Sequence, residues 1–372
     1  MRFVSMRPLG ARASLAAGLA ILLNLSITAC GSAGDDVDSS TAGGGGGVLT
    51  GAGGSGGGGA GGSASNGVGG SGGDGPAKLG APYPIVLAHG FFGFDDFAGA
   101  GFLSYFYGVK EHLAAGGEEL VYTPAVDPFN SSDFRGDQLI AEIEAILAET
   151  GHAKVNIIGH SQGGLDARAV AHKRPDLVAS VVTVATPHFG SPVADIVLKY
   201  VDDPDAQDVL NELLKLIGAP LYDEIGNETD VFKPLHLFSQ PGIAQFNASH
   251  PDQPGVFYAS VTGRSDEQLG GIECEPDVAQ SFVKQWDAVV DPIDIALSLS
   301  EAVVDGGFNS EEPNDGLVRV VDARWGQFWG CIPADHLDQV GQLLGDDPGG
   351  DNQWDYLEFY SKLVVRIRLQ GF

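Results

Sequence analysis

Residues Lys154 to Arg168 read KVNIIGHSQGGLDAR, and the order of residue types in this stretch decides what the rest of the chain can be. Val155, Ile157 and Ile158 form a short apolar run suited to a buried strand, and Gly164 to His172 resumes with helix-forming residues. Between them stands Gly159-His160-Ser161-Gln162-Gly163, a G-x-S-x-G pentapeptide. The order of strand, tight turn and helix makes this pattern specific. Such a turn forces its serine into strained backbone angles, and side chains at the flanking glycines would collide with the adjoining strand and helix. The expectation is a serine hydroxyl held clear of a sheet at a helix N-terminus, as a nucleophile requires, rather than an ordinary serine in a glycine-rich turn.

Outward from this point the chain keeps the same alternation. On the N-terminal side, Asp137 to Thr150 places Leu139, Ile140, Ile143, Ile146 and Leu147 at helical spacing on one face with acids on the other. That helix leads directly into the Val155 strand. Further upstream, Ile85 to Ala88 reads as a buried strand ending in the loop His89-Gly90-Phe91-Phe92-Gly93, and Glu119 to Thr123 as another strand. Downstream, Pro175 breaks the helix, Ser180 to Val184 gives the next strand, and Phe257 to Thr262 gives one more. Strand, helix, strand in this order implies an α/β chain with a mostly parallel central sheet flanked by helices. Residues 193 to about 250 differ: apolar residues from Ile196 to Ile217 recur at helical spacing, with breaks at Pro204, Gly218 and Pro220. This suggests a helical insertion, either a mobile lid over an apolar cleft or a plain packing subdomain.

Composition bounds the whole. At 372 residues and 43% hydrophobic content the chain can bury a substantial core, but its glycines are unevenly spread. Arg2, Arg7 and Arg12 followed by the apolar run Leu15 to Ala29 read as a signal peptide over residues 1–29. Residues 30–79 are almost entirely Gly, Ser, Ala and Asp, a flexible tether that cannot form a core, which leaves 80–372 as the globular domain. Of three cysteines, Cys274 and Cys331 lie in the globular part, and in an exported chain one disulfide between them is the natural inference, with two free thiols as the alternative. The net charge is −29, and removing the three leader arginines leaves 17 basic against 49 acidic residues, a balance of −32. Such a surface repels nucleic acid and anionic lipid.

The successive segments YPIVLAHGFFGFD, VNIIGHSQGG, RPDLVASVVTVATPHFGS, DPID, NDGLV and HLDQVGQ resemble, in order, the motifs of the Pseudomonas and Burkholderia true lipases. The resemblance runs from about Tyr83 to the C-terminus and is weakest in the lid and in 262–286. It implies an α/β-hydrolase fold with a helical lid at about 193–250 and a serine esterase acting on long-chain acylglycerols. Carried over by position, Ser161 is the nucleophile, Asp315 the acid and His336 the base, while the backbone N–H groups of Phe91 and Gln162 form the oxyanion hole. The residue types suit the chemistry, because a serine hydroxyl is a poor nucleophile until an imidazole takes its proton and a carboxylate fixes that imidazole. His89 then reads as a brace for its loop, and His188 as a residue that at most lines the site. The family also implies a structural calcium ion, with Asp291 and Asp338 giving carboxylates and Gln342 and Asp346 backbone carbonyls. The family's disulfide joins a cysteine soon after the catalytic aspartate to one well upstream; here Cys331 lies nearer the histidine and Cys274 nearer Asp291. Ile27-Thr28-Ala29-Cys30-Gly31 resembles a lipobox, which implies acylation at Cys30 and an outer-membrane or cell-surface lipoprotein, with plain secretion as the alternative. Many relatives mature with a membrane-tethered foldase.

Three functions follow for comparison. The first is an anchored extracytoplasmic lipase working through an acyl-enzyme. The second is a short-chain esterase or polyester depolymerase on the same scaffold, since fold and triad do not fix the acyl chain. The third is a surface binding protein with an inert hydrolase fold.

Overall fold

The computed structural model describes residues 78–91, 105–200, 232–265, 271–294, 297, 300–301, 304, 312–341, 348 and 352–372. The expected signal peptide, nearly all of the tether, Cys30 and the middle of the expected lid lie outside the described residues.

Six strands form one parallel sheet. They are β1 (Ile85–Ala88), β2 (Val121–Tyr122), β3 (Val155–His160), β4 (Val178–Val184), β5 (Phe257–Arg264) and β6 (Gln327–Pro333), and they lie in the order β2-β1-β3-β4-β5-β6. The strand with the serine turn at its end is therefore central. Both faces are covered, which is why the strands read as continuous apolar runs rather than alternating ones. Ile85, Leu87, Ile158, Val182 and Val184 point into one core, where Phe359, Tyr360, Leu363 and Ile367 of the C-terminal helix meet them. Val86, Ala88, Val155, Ile157 and Val181 point to the other, against Leu139, Ile143, Ile146, Ala167 and Val170.

The helices follow from their ends as much as from their faces. Helix α1 (Val109–Ala115), which the glycine-rich composition around it hides, buries Val109 and Leu113 between Gly108 and Gly116. Helix α2 (Ser132–Thr150) starts five residues before its apolar periodicity does, because Ser131 caps it by accepting from the Phe134 N–H, and it stops at Gly151 in the left-handed conformation, φ 73°. Helix α3 (Gln162–Lys173) begins at the residue after Ser161. Within the expected lid region lie α4 (Pro192–Tyr200), α5 (Phe232–Phe238) and α6 (Gln240–Ser249); only α4 falls on the apolar spacing from Ile196 to Ile217, the rest of which lies outside the described residues. The chain closes with α7 (Val320–Ala323) and α8 (Tyr356–Leu369). Strand β6 is the element the sequence did not announce. Among the described residues no helix is long and apolar enough to cross a membrane.

One buried cation ties these layers together behind the serine turn. The Arg135 side chain of α2 is fully buried and donates from Nε to Asp166 Oδ2 of α3 at 2.7 Å. Its two Nη atoms reach the carbonyl oxygens of Asp127 at 2.8 Å and His89 at 2.6 Å, with Gly90 O at 3.3 Å. Burial pushes the Asp166 carboxyl up to about 6 in spite of the guanidinium beside it, so the pair is costly to form and more costly to break. Replacing Arg135 by methionine is expected to lower the unfolding free energy by about 3–5 kcal/mol, read from the urea midpoint. The double variant Arg135→Met, Asp166→Leu should recover only part of this, since the carbonyls of His89, Gly90 and Asp127 still lose their donor.

Candidate active site

Ser161 occupies a backbone conformation that side-chain-bearing residues avoid, φ 54° and ψ −128°. The neighbouring glycines explain how it is held there. A Cβ on Gly163 would stand 2.0 Å from the Ala88 carbonyl oxygen, and one on Gly159 would stand 2.5 Å from the backbone of Gly163. Helix α3 thus starts against the sheet, and the turn has no room to relax. The loop after β1 passes directly beside it: a Cβ on Gly90 would lie 2.7 Å from the Ser161 Cβ. That places Gly90, between His89 and Phe91, directly beside the serine.

His89 braces this loop. Its Nε2 accepts from the Val126 N–H at 3.1 Å, and its Nδ1 bonds the Gly90 carbonyl at 3.0 Å. Burial and the nearby Arg135 push its pKa down to about 3, so it is a neutral strut. The Phe91 ring lies edge-on to Phe129 and to Phe238 of α5, so the loop meets the expected lid region through aromatic contacts. Gln162 directs its side chain away, donating to the Asn130 carbonyl at 2.8 Å. Its backbone N–H lies in the first turn of α3, where helix N–H groups lack an intrahelical acceptor.

Asp315 and His336 meet at the carboxyl edge of the sheet. The His336 Nδ1 and the Asp315 Oδ2 form a 2.8 Å hydrogen bond, and the His336 N–H donates to the Asp315 carbonyl at 2.9 Å. The same carboxylate accepts from Gln339 Nε2 at 3.0 Å and, on Oδ1, from the N–H groups of Leu317 at 3.1 Å and Val318 at 2.8 Å. The His336 ring packs on His160, the residue before the serine, with 4.6 Å between ring centroids. His160 is itself buried and shares a 2.6 Å hydrogen bond with the Tyr105 hydroxyl; burial first and then the neighbouring His336 hold its pKa well below the usual histidine range. His188 does not line the site. Its ring is wholly buried, bonded to Thr183 and Arg168 and stacked on Trp325.

Beside His336 stands a second constellation. Asp291, Asp335 and Asp338 are all buried and bring carboxylate oxygens within 4.8 Å of one another. Asp335 is well served, accepting from the N–H groups of Leu337, Asp338 and Asp294. Asp291 is not: among the described residues neither of its buried oxygens meets a donor at hydrogen-bond geometry. Burial, with the charges of Asp335 and Asp294, pushes Asp291 up to about 8, and burial pushes Asp335 to about 6. A starved carboxylate among other acids is the donor set of a hard cation. Asp291 and Asp338 were expected here and Asp335 was not, while Gln342 and Asp346 lie outside the described residues.

Comparison with known proteins agrees with this geometry. Residues 83–224 match the model of the alpha/beta hydrolase fold. A triacylglycerol lipase of Vibrio cholerae serotype O1 is 38% identical over 269 residues, covering 71% of this chain and 81% of the relative. The chain belongs to the triacylglycerol lipase family. A Burkholderia plantarii triacylglycerol lipase is 32% identical over 324 residues, covering 78% of this chain and 87% of that one. In fold alone, the crystal structure of Staphylococcus hyicus lipase superposes with a TM-score of 0.51 at 18% identity, covering 78% of this chain and 96% of that one. The protein is a serine ester hydrolase of the α/β-hydrolase fold.

This family member carries a disulfide between Cys274 and Cys331, of the two alternatives the cysteine count left open. It ties a surface turn, Gly271–Cys274, to the edge strand β6, two residues before the strand ends and five before His336. The same surface segment covers the open edge of β6 with the Asp277 N–H donating to the Phe328 carbonyl and the Phe328 N–H to the Asp277 carboxylate. With a sequence separation of 57, the bridge should stabilise the fold by about 2–4 kcal/mol. The double variant Cys274→Ser, Cys331→Ser is expected to lose that much in a denaturant titration, and the reduced wild type should match it.

Proposed function

We propose that this enzyme hydrolyses the carboxylic ester bonds of acylglycerols at an oil–water interface, through an acyl-enzyme on Ser161. The observation that carries the reading is the 2.8 Å hydrogen bond between Asp315 and His336, made beside the serine turn. In this reading His336 uses Nε2 to take the Ser161 proton as the hydroxyl attacks the ester carbonyl, and returns it to the departing alcohol. Asp315 holds the imidazole in the tautomer with the proton on Nδ1 and stabilises the cation that forms. The oxyanion of the tetrahedral intermediate is met by the N–H groups of Phe91 and Gln162. Water then repeats the sequence on the acyl-enzyme. Long acyl chains suit a site whose serine-side loop carries Phe91, a half-buried ring backed by Phe129 and Phe238. In this reading helices α4 to α6, within the expected lid region, shield the site.

A calcium ion held by Asp291, Asp338 and Asp335, with backbone carbonyls of the following loop, would neutralise the buried acids and clamp the His336 loop to the Asp291 segment. When bound it supplies charge and position, and takes no part in ester cleavage. The N-terminal sequence supports export, acylation at Cys30 and a surface lipoprotein held on a glycine-rich tether.

Replacing Ser161 by alanine should lower turnover by about 10⁴- to 10⁶-fold and abolish labelling by a fluorophosphonate. With p-nitrophenyl esters of increasing chain length, kcat/KM should rise toward long chains and rise again when an oil interface is added. A maximum at acetate or butyrate with no interfacial effect would instead make the enzyme a short-chain esterase. Chelation by EDTA should lower the thermal midpoint of the wild type by several degrees, reversibly on adding calcium, and leave that of Asp291→Asn unchanged.

A further inference from the structure

Thr186 is fully buried, and the chemistry above gives it no task. Its hydroxyl nonetheless donates a 2.8 Å hydrogen bond to the carbonyl oxygen of Ser161. The space it uses is reserved by the sequence, because a Cβ on Gly164 would stand 2.0 Å from Thr186 Oγ1. Gly164 is thus the one glycine of the GHSQGG run that makes room for another side chain rather than for backbone.

The residue before it is unusual too. Ala185, with φ 49°, and Ser161 are the two non-glycine residues with positive φ among the described residues. An L-residue adopts this conformation at a cost, so the surroundings must hold it. The Ala185 N–H is fixed to the Val261 carbonyl at 3.0 Å. The twist brings the residues on either side of Ala185 onto the same target: Val184 O accepts from the Ser161 N–H at 2.9 Å, and Thr186 donates to the Ser161 carbonyl. The end of β4 therefore grips both backbone polar groups of the serine.

The consequence lies on the far side of the peptide bond. The Ser161 carbonyl and the Gln162 N–H belong to one planar trans unit and point in opposite directions. A hydrogen bond that fixes the carbonyl also fixes the N–H, and it polarises the unit so that the N–H becomes a better donor. The Gly164 N–H also bonds the Ser161 carbonyl, at 3.1 Å, but it belongs to α3 and moves with it. Among the described residues, Thr186 alone ties this peptide to the end of the sheet.

We propose that Thr186 is a positioning residue of the oxyanion hole, holding the Gln162 N–H on the developing oxyanion through the Ser161–Gln162 peptide. This rests on the reading of Ser161 as nucleophile. Thr186→Val keeps the shape and removes the donor. Since loss of a direct oxyanion donor costs about 10²- to 10³-fold, this indirect loss should lower kcat by about 10- to 100-fold, with KM for a soluble p-nitrophenyl ester within about twofold. Thr186→Ser, which keeps the hydroxyl, should retain kcat within about threefold. A trifluoromethyl ketone, which places an oxyanion in the hole when Ser161 adds to it, should bind the valine variant more weakly by the same factor as the loss in kcat/KM. If Thr186→Val does not fold, Thr186→Ala carries the same expectations. The proposal is overturned by wild-type kcat in the donorless variant, by a serine variant as impaired as the valine one, or by lost turnover with unchanged ketone affinity. Failure of the underlying reading looks different, as wild-type protein that no fluorophosphonate labels at Ser161.

Discussion

The structure depends on how closely helix α3 begins against the sheet. Gly163 sits where any Cβ would enter the Ala88 carbonyl, and Gly159 where one would enter Gly163, so strand, turn and helix are in backbone contact. This contact forces Ser161 to φ 54°, and the strained angle is what lifts its side chain out of the peptide plane of the strand. It also aims the N-terminus of α3 at the space above the serine. The first turn of α3 carries no acidic residue, so its N–H groups keep their partial positive charge for a developing anion.

Such a contact has to be held from outside, because nothing within a five-residue turn can oppose its strain. Three neighbours do so from three directions. Arg135 comes from α2 and joins Asp166 of α3 to the carbonyls of the loop after β1, so loop and helix share one buried cation. The end of β4 takes the serine's own N–H. His160, one residue earlier, packs on His336 and hydrogen-bonds Tyr105, which fixes the last residue of β3 to the loop that carries His336. The site is rigid because each of its loops is tied to a different layer.

What the sequence made legible follows from this. A parallel sheet covered on both faces writes itself as short apolar runs, and β1, β3, β4 and β5 were readable for that reason. The serine turn was readable because steric exclusion admits only glycine around it. Strand β6 was not, because QFWGCIP mixes a glycine at φ 111° with a terminal proline and faces two different cores in turn, so no period shows. Helix α1 was hidden by the glycines that bound it. Asp315 and His336 were found only through their resemblance to a family pattern, since nothing local distinguishes them. Asp335 carried no signal at all, as an acid next to a histidine in a chain with 49 acidic residues.

The buried acids near His336 show how differently one residue type can be used within a few ångströms. Asp315 receives two backbone N–H groups, a glutamine and the imidazole, so its carboxylate is held in a fixed orientation against His336. Asp335 receives three backbone N–H groups, and its charge is spent on shaping the turn through Leu337 and Asp338 and on the Asp294 segment. Asp291 is the least served of the three among the described residues, and burial raises it to about 8. A buried carboxylate without donors is the most expensive polar group a fold can carry, and a fold that needed only packing at that position would have an apolar residue there. Among the described residues no side chain or backbone N–H satisfies both Asp291 oxygens, and a cation bound there would act on the placement of the His336 loop rather than on bond cleavage.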